Sequence, residues 1–208
     1  GATTVRATFH RYVIDANRGP DDASLYPGQN TTGLVSLTDF DGRPIWTDPP
    51  EPSEIEARLK AFHAPYHAAL SAQIERVRAR HGVAILYDCH SIRSHIPFLF
   101  DGVLPDFNIG TNSGTSCAPQ IETALAEIAA ASPYSSVLNG RFKGGWTTRH
   151  YGRPEAGVHA VQMELAQSTH LASETPPFDY DPARAEALRP YLREMLHRLA
   201  ALALDLKG

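Results

Sequence analysis

Short apolar segments of β type alternate along the chain with longer segments whose apolar residues recur at helical period. Residues 83–87 form a nearly continuous apolar run, which is typical of a strand buried on both faces. Residues 5–14, 136–138 and 157–165 also predict strands. Alternating strands and helices favour an α/β domain, with a mainly parallel or mixed sheet flanked by helices.

Three segments combine apolar periodicity with helix start and stop signals. The first has a capping box at Ser53 and Glu56, an interruption at Pro65 and a stop at Gly82. The last has Asp181 as its cap, followed by proline. The predicted helices cover residues 53–81, 120–131 and 182–206.

The composition is that of a globular protein with one core. The chain has 208 residues, of which 42% are hydrophobic and 20% are charged. Its net charge of −4 argues against nucleic acid as a partner, because phosphates require a basic surface. No apolar run approaches the ~20 residues that cross a bilayer. Cys89 and Cys117 make no disulfide framework, so we expect a cytoplasmic protein.

A first polar cluster, RYVIDANR, covers residues 11–18 at the end of the first predicted strand. It contains Arg11, Asn17 and Arg18, and a guanidinium group offers a planar pair of donors to a carboxylate. Solvated arginines at a surface strand end would give the same pattern, and exposed charge is common. The cluster is therefore a candidate carboxylate site with a structural alternative.

A second cluster, DCHSIRS, covers residues 88–94 just after a predicted buried strand. His90 is well placed to bind a metal ion as neutral imidazole, and Asp88 could orient its ring. A histidine that only hydrogen-bonds at the strand end is the simpler alternative, because a metal ion needs several ligands.

The third cluster lies within the strand predicted over residues 157–165. Alternation places Gln162 and Glu164 on one face, opposite His159, Val161 and Met163. A glutamate in an apolar strand is costly to bury unless it is paired or protonated, so Glu164 is a candidate general base with a shifted pKa. The alternative is a barely buried glutamate near a sheet edge.

A polar, glycine-rich segment covers residues 139–152. It is too polar to belong to the core. A mobile loop that brings Arg149 and Tyr151 to a substrate would have this composition, and so would a plain surface hairpin.

Four strings together resemble the N-formylglutamate amidohydrolase family. They are RYVIDANRGPDD at residues 11–22, DCHSIRS at 88–94, PDFNIGTNSGTSC at 105–117 and LNGRFKGGWTTRHYGRPEAGVHAVQMELAQ at 138–167. The resemblance spans nearly the whole chain. It implies hydrolysis of N-formyl-L-glutamate to formate and L-glutamate in histidine degradation, and a fold similar to zinc carboxypeptidases and aspartoacylases.

The resemblance also implies roles for individual residues. Asn17 and Arg18 resemble the pair that holds a substrate carboxylate in aspartoacylase-type enzymes, and Arg11 resembles their oxyanion-stabilising arginine. His90 resembles the last zinc ligand, and Glu164 resembles the glutamate that activates the zinc-bound water. On charge alone, we assign the two further arginines, Arg93 and Arg149, to substrate carboxylates.

Zinc is the expected cofactor, although such ligands would also accept other divalent metals. Members of the family usually carry a "PHAG"-like histidine and an acidic ligand upstream of the RYVID string. A catalytic zinc has three protein ligands, and His90 alone is identified. We therefore expect residues 1–208 to form a single domain whose other metal ligands lie upstream of Gly1.

Two other functions are compatible with the same residues. A related amidohydrolase could act on another N-acyl amino acid, because the arginines indicate a carboxylate in the substrate but do not identify its acyl group. A metal-free binding protein for acidic amino acids could share the fold. In each case the expected partner is a small acidic molecule, and for the enzymes it is a dianionic N-acyl amino acid.

Overall fold

A mixed four-stranded sheet organises the computed structural model, which describes residues 1–206. The strands are Ala84–Ile92 (β1), Phe107–Gly110 (β2), Ser136–Leu138 (β3) and Val158–Ala166 (β4). The helices are Pro52–Arg58 (α1), Ala64–His81 (α2), Pro119–Ala130 (α3), Trp146–Tyr151 (α4) and Pro182–Asp205 (α5). A π-helical turn, Leu59–His63, joins α1 to α2. Within the described chain, no helix is long and apolar enough to cross a membrane.

The strand order is β1-β4-β2-β3. Strand β4 runs parallel to β1 and antiparallel to β2, and β2 runs parallel to β3. The predicted α/β fold with a mixed sheet flanked by helices is therefore confirmed. Because β4 has a partner on each side, eight of its nine residues are buried.

Helices cover both faces of the sheet. On one face, α3 and α5 pack against Val161 and Met163 of β4 in the main core cluster. On the other face, α2 packs through Leu70 and Ile74 against the first residues of β1 and β4. Strand alternation then directs the even-numbered residues of β1 and β4 to the α2 side, where polar side chains follow the apolar ones.

Three of the predicted helix signals act as expected. The αL conformation of Gly82 (φ 80°) ends α2, and Asp181 caps α5 by accepting from the backbone N–H groups of Ala183 and Arg184. The interruption predicted at Pro65 is a π-helical turn that ends just before it. The capping box at Ser53 was wrong, because Pro52 is already the first residue of α1 and Glu51 is its N-cap.

The strand predicted over residues 5–14 is absent. This segment is irregular and is held by side-chain packing, with Ile14 buried against Leu34 and Val35. A single backbone bond, from Asp15 N to Leu34 O, ties its end to the following loop. Apolar and β-branched content favours a strand only where another strand offers a ladder of hydrogen bonds.

Other differences concern segments that were predicted as loops. Strand β1 continues five residues beyond Tyr87, so the DCH string lies inside the strand rather than after it. Strand β2 lies in a segment for which no strand was predicted, and α4 lies in the glycine-rich segment over residues 139–152. These two short elements position the walls of the candidate site.

Candidate functional site

A row of polar side chains lies on the α2 face of β1 and β4. In the parallel register, Asp88 is opposite Gln162, and His90 is opposite Glu164. Asp88 Oδ1 lies 3.0 Å from His90 Nε2, and Gln162 Nε2 lies 3.3 Å from Glu164 Oε2. Two neighbouring strands thus bring an imidazole and a carboxylate to one place.

Glu164 is only 7% exposed and lies in the central strand of the sheet. The alternative of a barely buried glutamate at a sheet edge is therefore wrong. Burial raises the pKa of Glu164 to about 7, although His90 and Arg11 act in the opposite direction. A carboxyl group with such a pKa can accept and return a proton near neutral pH.

Burial and the neighbouring carboxylate of Asp88 act on the pKa of His90 in opposite directions. Burial would lower its pKa, but the attraction and hydrogen bond of Asp88 raise the pKa of His90 to about 9. Because Asp88 accepts from Nε2, the free ring nitrogen is Nδ1. The second oxygen of Asp88, Oδ2, is buried and has no hydrogen-bond partner among the described residues.

The loop of residues 11–18 closes over this row. Asn17 Nδ2 lies 3.2 Å from His90 Nε2 and 3.4 Å from Gln162 Oε1, and Asn17 Oδ1 accepts from Thr147 N at the start of α4. A side chain at Gly145 would overlap the Asn17 amide, since a Cβ there would lie 2.3 Å from Nδ2. Asn17 therefore fits between the sheet and α4 only because residue 145 is glycine.

A buried aspartate links two arginines of the loop. Asp15 Oδ2 lies 2.5 Å from Arg11 Nη2 and 3.8 Å from Arg18 Nη1. Burial alone would raise the pKa of Asp15, but the two guanidinium groups and the Asn17 N–H hold it below its ordinary value. Arg18 also donates to Thr32 O, Thr32 Oγ1 and Asn17 O.

A cavity of about 70 Å³ lies between this loop and the strands. Predicted site residues from three separate parts of the chain line it together: Arg11, Asn17, Arg18, His90 and Glu164. A loop, rather than the strand predicted over residues 5–14, brings Arg18 into the same cavity as His90.

The remaining predicted site residues do not line the cavity. Arg93 forms an ion pair of 2.6 Å with Asp41. Arg149 donates to the carbonyl groups of Gly144 and Leu25. The Tyr151 hydroxyl lies 3.0 Å from His67 Nδ1, behind the loop of residues 11–18.

Sequence reasoning missed two contributors to the site. Arg141 lines the cavity from the segment between β3 and α4. His63, the last residue of the π-helical turn, and His67 of α2 hydrogen-bond to the backbone oxygens of Arg18 and Ala16, on either side of Asn17. Their i, i+4 spacing was visible in the sequence, but nothing in it indicated their partners.

The described residues do not form a complete metal site. Residues 1–206 contain no group of three His, Cys, Asp or Glu side chains that could hold a metal ion. His90 is the only imidazole lining the cavity. A catalytic zinc requires three protein ligands, so this part of the chain does not fit that ion by itself.

Comparison with known proteins identifies the family. The family model for N-formylglutamate amidohydrolase matches residues 1–171. The chain belongs to this family. It is 52% identical over 204 residues to an N-formylglutamate deformylase of Pseudomonas aeruginosa, covering 97% of this chain and 76% of that protein. A Pseudomonas putida protein of the same name is 49% identical with the same coverage.

Solved structures agree with the family fold. A crystal structure of an N-formylglutamate amidohydrolase from Ralstonia eutropha superposes with a TM-score of 0.78 at 25% identity, covering 94% of this chain and 74% of that one. A gene product of Agrobacterium tumefaciens gives a TM-score of 0.65 at 17% identity, covering 92% and 68%, and shows the fold alone. The cavity of this family member is therefore part of a fold that relatives share.

Proposed function

We propose that the chain hydrolyses the formyl amide of N-formyl-L-glutamate to formate and L-glutamate, as a step of histidine degradation. One observation carries the proposal: a buried glutamate with a pKa of about 7 lies in a cavity lined by three arginines. The names of the two Pseudomonas relatives support the substrate. A cytoplasmic, single-domain protein is part of the same proposal, as is a fold related to zinc carboxypeptidases and aspartoacylases.

The chemistry needs a base, an oxyanion site and a carboxylate site. Glu164 removes a proton from water, whose oxygen then bonds to the formyl carbon. Glu164 returns the proton to the amide nitrogen as the C–N bond breaks, so that formate and the free amine leave. Arg11 stabilises the oxyanion of the tetrahedral intermediate, and its Nε is buried without a partner among the described residues.

Asn17 and Arg18 serve the α-carboxylate of the substrate in this mechanism. That carboxylate is attached to the carbon that carries the reacting nitrogen, so it must lie close to Glu164 and His90. Asn17 touches His90 directly, and Arg18 Nη1 touches the Asn17 backbone oxygen.

We also propose that a divalent cation, with Zn²⁺ as the expected ion, binds at His90. Asp88 would orient the ring from Nε2. Residues 1–206 contain no group of three ligand side chains, so further ligands would be needed to complete the site. The steps above use only side chains of the described chain.

The experiment is a hydrolysis assay with the purified chain on N-formyl, N-acetyl and N-succinyl derivatives of glutamate, with formate and free amine both measured. Turnover of N-formyl-L-glutamate that is lost in Glu164→Gln supports the proposal. Turnover of the acetyl or succinyl compound alone would replace it with a related amidohydrolase. Binding of all three without turnover, with metal supplied, would indicate a binding protein.

A further inference from the structure

Arg141 lines the cavity and is held by backbone carbonyl groups rather than by a side-chain partner. Its Nε donates to Leu99 O at 3.3 Å, and its Nη2 donates to Asn30 O at 2.8 Å. The third nitrogen, Nη1, is buried and has no hydrogen-bond partner among the described residues. A buried N–H group of a charged side chain is costly to leave unpaired, so Nη1 is a site that an acceptor would stabilise.

The charge of Arg141 is also uncompensated. Arg11 and Arg18 share the carboxylate of Asp15, at 2.5 Å and 3.8 Å. For Arg141, no carboxylate lies within 4.0 Å in the part of the chain that the structure describes. Burial lowers the pKa of Arg141 below its ordinary value, as expected of a cation without a counter-ion.

The guanidinium group is held in a fixed orientation. Its Cζ lies 5.3 Å from the ring centroid of Tyr26 and 5.4 Å from that of Phe142. Two backbone carbonyls hold its other nitrogens, as described above. Because Nε and Nη2 are held and Nη1 is free, the planar guanidinium group is pre-organised to donate to a carboxylate oxygen.

We propose that Arg141 binds the side-chain carboxylate of the substrate and is the residue that selects an acidic side chain. The inference rests on the proposed function. Asn17 and Arg18, which touch His90 or one another, serve the carboxylate close to the reacting nitrogen. Within the described chain Arg141 forms no hydrogen bond with these residues and is anchored on Leu99 and Asn30, so it suits the carboxylate that two methylene groups hold further away.

The test compares N-formyl-L-glutamate with N-formyl-L-glutamine, which has nearly the same shape but a neutral side chain. The parent chain should prefer the glutamate compound in kcat/KM. In Arg141→Met this preference should fall by about 10- to 100-fold, mainly through KM, and turnover of N-formyl-L-glutamine should remain. Arg141→Lys should restore part of the preference, because it keeps the charge without the fork.

Arg153→Met is the matched control, since exposed Arg153 also donates to two backbone carbonyls, those of Arg149 and Gly152. It should keep the parent preference. If Arg141→Met slows both substrates equally, Arg141 only supports the loops and the inference is overturned.

Calorimetric binding of both compounds to Glu164→Gln, with and without Arg141→Met, gives the same comparison without turnover. A parent chain without turnover would then refute the proposed function, while the binding preference still decides the role of Arg141.

Discussion

His90 of β1 and Glu164 of β4 are register partners in the parallel half of the sheet. Because side chains alternate along both strands, each residue lies on the α2 face together with the residue two positions earlier, Asp88 or Gln162. The strand pairing itself therefore sets the distance between the imidazole and the carboxylate. Asn17 Nδ2, in the loop above, lies within 3.4 Å of both His90 Nε2 and Gln162 Oε1.

Glu164→Gln should lower kcat by on the order of 10²-fold or more, because the amide cannot take a proton from water. The amide has nearly the same shape, and replacing a buried carboxyl group with it should leave the thermal midpoint unchanged or raise it. Steady-state kinetics and thermal unfolding measure both effects. Exposed Glu155→Gln is the control and should turn over normally. Normal turnover by Glu164→Gln would show that the proposed base is wrong.

Arg18→Ala should weaken substrate binding by a few kcal/mol, since a substrate carboxylate would lose its cation in a partly buried cavity. The effect should appear mainly as a higher KM for N-formyl-L-glutamate. Arg18 also donates to Thr32 and Asn17, so thermal unfolding should be measured in parallel. Unchanged KM and kcat, with a lower thermal midpoint, would assign Arg18 to the loop alone.

The sequence predicted those elements whose signals are local. Residues 136–138 and 157–165 are strands almost as expected, and Asp181 caps α5 because capping depends on only a few neighbouring residues. Strand β2 was missed because it is stabilised by β3 and β4 on either side. Its burial depends on partners distant in the chain, which no local pattern shows.

The same distinction applies to the cavity. Glu164 was identifiable because a charge in an apolar strand is unusual. Arg141 was not, because a single arginine in a polar segment has no pattern of its own. Its distinctive feature is the unpaired Nη1, which arises from Leu99 and Asn30 occupying the other nitrogens.

His90→Ala should reduce the amount of divalent metal that copurifies with the protein, together with its activity. Among residues 1–206 no other imidazole lines the cavity, and Asp88 fixes the orientation of this one. Elemental analysis of purified protein measures the metal directly. Exposed His95→Ala is the control and should keep the parent metal content. Full occupancy in His90→Ala would remove His90 from the coordination sphere.

The last prediction concerns His67, whose ring joins α2 to the loop that carries Asn17. His67 Nε2 lies 2.8 Å from the carbonyl oxygen of Ala16, so Nε2 must carry the proton. Nδ1 is then the acceptor for the Tyr151 hydroxyl at 3.0 Å. A second proton on this ring would turn Nδ1 from an acceptor into a donor and place a charge in a largely buried site.

Burial, with a smaller contribution from His63, lowers the pKa of His67 to about 4 from an ordinary value of about 6.5. Between these values the unfolded chain binds a proton that the folded chain does not. The contribution to stability is therefore complete above pH ~6.5 and is lost as the pH falls towards 4. Denaturant unfolding of the parent chain should show this loss as a lower free energy of unfolding at about pH 4.5 than at pH 7.5.

His67→Gln should remove that part of the pH dependence, because glutamine can still donate to Ala16 O but does not titrate. Exposed His197→Gln should keep the parent dependence and serves as the control. The difference between the two variants isolates His67 from other groups that titrate in the same range. If the free energy of unfolding falls identically in both variants, His67 takes up its proton in the folded protein as readily as in the unfolded chain. A neutral ring held between Ala16 and Tyr151 does not allow that result.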